Sequence, residues 1–64
     1  MDYKDILAFV KEEYKKAIER HTKRGENYSK ADEHAYDICI GIVKAFQKLG
    51  MITPEQYMDI LSAL

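Results

Sequence analysis

The sequence predicts an all-α protein: a helical hairpin of two long helices plus a short C-terminal third helix, in one small domain spanning residues 1–64. Three observations carry that prediction. Apolar residues recur at three- and four-residue steps through most of the chain. Gly25 and Gly50 each follow a periodic stretch, where a left-handed residue can end a helix. Thr53-Pro54-Glu55-Gln56 then supplies an N-cap, a proline at the first helical position and a glutamine that can close a capping box.

The first helix is read from Tyr3, Ile6, Leu7, Val10, Tyr14, Ala17, Ile18 and His21, which fall within an arc of about 120°. Glu12 with Lys16 and Glu19 with Lys23 stand four apart in the favourable order for ion pairs on the wet face. Glu26-Asn27-Tyr28 is then expected to be a turn, with Ser29 as the N-cap of the second helix and Asp32 and Glu33 facing its positive end.

The second helix carries the most informative run, Ile38-Cys39-Ile40-Gly41-Ile42-Val43, bounded by Asp37 and Lys44. At about 100° per residue this run covers two faces. Ala31, Ala35, Ile38, Ile42, Ala45, Phe46 and Leu49 form one face, expected to pack on the first helix. Tyr36, Ile40 and Val43 form the other, with Cys39 between the two and Gly41 on an adjoining flank. So small a chain buries only about 60% of its unfolded surface. The second face is therefore expected to need a partner, and Phe9, Tyr36, Cys39, Ile40, Gly41 and Val43 are the candidate interface of a homo-oligomer. The third helix presents Tyr57, Ile60, Leu61 and Leu64, with Met51 and Ile52 beneath the turn after Gly50.

Composition removes several functions. A single cysteine excludes an intramolecular disulfide, and a net charge of -1 lacks the basic excess of a nucleic-acid coat. No leader pattern or spanning-length apolar run is present, so the expected location is a reducing cytoplasm, with no membrane partner. The third helix carries Glu55 and Asp59 and no lysine or arginine, which argues against DNA reading.

Chemistry is equally sparse. Neither HExxH nor a Glu-x-x-Glu pair occurs, so no metal or cofactor is expected. His34, Glu33 and Asp37 read as a solvated strip, and His21 as a half-buried, hydrogen-bonded histidine. Cys39, enclosed by isoleucines, is expected to be an inert thiol, and no glycine-rich phosphate loop exists. The chain is read as a non-enzyme.

One local charge excess remains. Arg20, Lys23, Arg24 and Lys30 face only Glu26, with His21, Asn27, Tyr28 and Ser29 among them. Helix-start amides, guanidinium forks and a tyrosine ring could hold a nucleotide or phosphate ligand there. The plainer reading is basic residues complementing a helix C-terminus.

Residues Leu49-Gly50-Met51-Ile52-Thr53-Pro54-Glu55-Gln56-Tyr57 loosely resemble the short C-terminal helical oligomerisation motif, in which a Gly, an Ile-Thr pair, an acidic residue and an aromatic mark a similar helix break. Pro54 departs from it, and capping alone would select the same residues. The resemblance covers about the last third of the chain and implies assembly without chemistry. Eight lysines to two arginines, with much isoleucine and tyrosine, suggest an A+T-rich bacterial or phage genome. Such chains resemble phage accessory proteins that inhibit host machinery by binding, which implies a host protein target. The functional expectation is thus a self-associating protein-binding module, possible nucleotide sequestration being the alternative.

Overall fold

A computed structural model describes residues 2–64 as three helices, α1 (Tyr3–Lys23), α2 (Tyr28–Lys48) and α3 (Pro54–Ala63). No strand occurs among the described residues. The two long helices form the predicted hairpin, and α3 folds back against both. The molecule measures 37 × 17 × 16 Å.

Each helix start is closed by its own side chains. Asp2 caps α1 in a reciprocal box with Asp5, using two residues the sequence reading had not assigned to capping. Thr53 and Gln56 form the predicted box at α3. At α2 the cap is Asn27, whose Oδ1 accepts from the Lys30 amide at 2.9 Å, so the cap lies two residues before the expected Ser29. Asn27 and Ser29 are both good caps. Starting at Asn27 lets the turn close in two residues fewer than a Ser29 start would need, directly behind the Gly25 stop.

Both helix ends are built alike. Gly25 and Gly50 adopt φ of +94° and +75°, the left-handed region glycine enters without cost. After α1, Glu26 N–H donates to the His21 carbonyl and Gly25 N–H to that of Thr22. After α2, Met51 N–H donates to the Phe46 carbonyl and Gly50 N–H to that of Gln47. Each pair satisfies carbonyls that the helix leaves open.

Ile6, Val10, Cys39, Val43, Ile52 and Ile60 form the core, with Ala17, Ala31 and Ala35 buried nearer the hairpin. This corrects the expected rotation of α2. Its buried line runs through Ala31, Ala35, Cys39 and Val43, midway between the two faces read from the sequence. The accessible surface, 4412 Å², is close to the roughly 4,200 Å² that size scaling gives a compact monomer of this mass. Burying the middle of a broad apolar arc lets one chain cover more of it than burying either edge. Of the predicted surface ion pairs, Lys16 reaches Glu13 at 4.0 Å instead of Glu12.

Candidate binding surfaces

Because α2 buries the bisector of its apolar arc, its two flanks can be compared directly. On one flank Val43 is fully buried, and Tyr36, Ile40 and Gln47 are half-buried. On the other, Ile38 is 40% exposed, Leu49 74% exposed, Ala45 is exposed and Ile42 is half-buried. The open flank is therefore the one expected to lie against α1. Cys39 and Val43, placed in the candidate interface by the sequence reading, are core residues with no exposed surface.

Phe9 belongs with the open flank. It is 40% exposed and meets Phe46 edge to face, with ring centroids 6.1 Å apart and planes at 83°. That contact ties the α1 ring to the α2 row, the favoured geometry for aromatic pairs. Gly41 lies at the outer border of this flank, and a Cβ there would meet nothing within 4 Å. Met51 and Met58 add exposed apolar surface near the terminal end.

The second candidate surface is the hairpin tip. The turn after α1 makes Glu26 follow His21 at the spacing of a helix-closing pair, where an apolar contact commonly sits. Here the contact is polar. His21 Nδ1–H donates to Glu26 Oε2 at 2.5 Å, the ionised carboxylate being able only to accept. The other carboxylate oxygen lies 3.3 Å from His34 Nε2 on α2, and the two imidazoles stack with centroids 5.0 Å apart and planes at 15°. Nearly parallel ring planes cannot both aim in-plane lone pairs at one ion. No group of three His, Cys, Asp or Glu among the described residues is arranged to hold a metal.

His21 thus has the half-buried, hydrogen-bonded setting expected of it, with Glu26 as the partner. His34 was missed as part of this cluster. Its signal was its place two turns into α2, but only the turn geometry reveals that Glu26 lies between the rings. Around this cluster Arg20, Lys23, Arg24, Tyr28, Ser29 and Lys30 are all exposed. Asn27 spends its side-chain oxygen on the α2 cap. No cavity or cleft gathers these groups around a ligand.

Cys39 sits at the helix crossing, its thiol 3.8 Å from the Val10 carbonyl, to which it donates. Burial first, then the negative charge of Glu13, raises its pKa above the ordinary thiol value. No helix of the described residues is long and apolar enough to cross a membrane. The chain matches no protein family, curated protein or solved structure.

Proposed function

We propose that this chain is a non-enzymatic binding protein that acts by protein–protein contact, including self-association, through the open flank of the hairpin. The observation that carries the reading is the contiguous apolar row Ile38, Ile42, Ala45 and Leu49, joined by Phe9 and Phe46 across the helix pair. Apolar side chains grouped on one face mark contact surfaces more often than the same residues scattered singly. Affinity capture from native host cells tests the reading. Wild type should retain specific proteins, itself included, that Ile38→Glu and Leu49→Glu both lose. Identical capture by all three would refute it.

A second reading, binding of a phosphate-bearing ligand at the hairpin tip, is favoured by one observation. Glu26, the sole acid between residues 20 and 30, has each carboxylate oxygen facing a histidine, which leaves Arg20, Lys23, Arg24 and Lys30 with no acidic side chain within 4.0 Å among the described residues. Calorimetry with mono-, di- and cyclic nucleotides at low salt tests it. Binding of this kind should weaken steeply as ionic strength rises, and Arg24→Ala or Lys30→Ala should remove most of it. No heat across that panel would dismiss the reading.

A further inference from the structure

We infer that the hairpin tip is a pH-sensitive anion site, at which protonation of His21 and His34 strengthens the hold on a phosphate-type oxyanion. The inference rests on the second reading above and adds how that site is regulated. Its ground is the set of charges gathered around one carboxylate. Glu26 accepts from His21 Nδ1 at 2.5 Å, its other oxygen lies 3.3 Å from His34 Nε2, and the two rings stack with centroids 5.0 Å apart. Neutral imidazoles can make both contacts, because each tautomer presents one N–H. A proton added to each ring sets two positive charges against a single negative one. An anion from solution is the partner that this excess calls for.

The groups nearest the turn point to the same ligand. Arg20 and Arg24 stand four residues apart and share a face of α1, as Lys30 and His34 do on α2, and all four are exposed. Lys23 adds a fifth exposed basic group, and guanidinium forks suit the oxygens of a phosphate. The next acids along the helices are Glu19 on α1 and Asp32, Glu33 and Asp37 on α2. None of these four makes an ion pair within 4.0 Å among the described residues. From α3, Ile60 joins Ile6, Val10 and Val43 in the core, and no α3 side chain pairs with the tip. The sign of the coupling follows. An anion favours the protonated rings, so affinity rises as pH falls through the ordinary imidazole range, about 6.5, and binding takes up protons.

Calorimetry of the full chain at low salt tests this with two probes whose own charge is constant between about pH 5.5 and pH 8. One is sulfate, a free oxyanion, and the other a cyclic mononucleotide, a phosphodiester. Wild type should bind at least one of them roughly tenfold more tightly at the lower pH, the size expected of two added unit charges acting across solvated contacts. The heat should also vary with the ionisation enthalpy of the buffer, as proton uptake requires. His34→Gln should lose about half of the pH dependence, and the double variant His21→Asn, His34→Gln nearly all of it, with the helical signal unchanged. The His34 side chain is 50% exposed, so its variant should fold even if the double variant does not. Tighter binding of the cyclic nucleotide would support a nucleotide as the source of the anion, and tighter binding of sulfate a free oxyanion. Binding with no pH dependence, or with the same dependence in wild type and in His34→Gln, would overturn the histidine control and leave the second reading standing. No heat from either probe at either pH would remove the second reading and the inference together.

Discussion

His21 and His34 stack at 5.0 Å with Glu26 between their ring nitrogens, so one carboxylate from the turn fastens the end of α1 to the second turn of α2. Glu26→Ala should cost about 1 kcal/mol, less than the roughly 1.5 to 3 kcal/mol of a shielded hydrogen bond to a charged group because the site is partly solvated. Thermal unfolding should show the loss, and amide exchange should quicken between Arg24 and Lys30 while the terminal end keeps its protection. Unchanged exchange in that segment would mean the cluster does not hold the tip.

Thr53→Ala should cost about 1 kcal/mol by removing the side-chain half of the α3 capping box. Exchange should rise first in residues 54–63, because α3 is the shortest helix. A uniform rise across all three helices would show that α3 never opens alone.

Gly41→Ala should stabilise the fold by about 0.5 to 1 kcal/mol, since the position is mid-helix and a Cβ there meets open space. Denaturant midpoint measurement suffices to check the sign. A lower midpoint would mean that something outside this chain approaches the backbone there.

Cys39 links stability to alkaline pH. Its thiol is raised above its ordinary value in the folded chain, chiefly by burial, so the unfolded chain releases that proton first. The contribution is complete below the unfolded thiol value of about 8.5 and is lost as pH rises through the folded value. Urea unfolding of wild type should therefore weaken above about pH 8.5 relative to Cys39→Ala. A thiol reagent at pH 8 should react at the rate of unfolding, and immediate labelling would contradict the burial.

Much of this fold was legible because the strongest signals are local. Gly25, Gly50 and Thr53-Pro54 act through their own dihedral angles and nearest amides, so the breaks fall where those residues stand. The rotation of α2 was not legible. Ile38, Cys39, Ile40, Ile42 and Val43 are all apolar, and periodicity cannot choose a buried line within a run that has no polar residue inside it. Packing against α1 and α3 together makes the choice, placing Cys39 and Val43 inside and Ile38 outside. The hairpin cluster was half legible: His21 could be placed by its helix face, but Glu26 and His34 meet only through the turn.

The self-contained helix ends bear on how the chain reaches its fold. Asp2, Asn27 and Thr53 open the helices with partners three residues away, and the hydrogen bonds behind Gly25 and Gly50 close within six residues. A start and a stop can therefore form before any distant contact exists, and each long helix must then find only its neighbour across a short turn. Little chain has to be ordered at once, so the loop-closure entropy opposing the transition state is small. Folding should complete on a timescale of about microseconds to milliseconds, as expected for helical chains dominated by near-neighbour contacts.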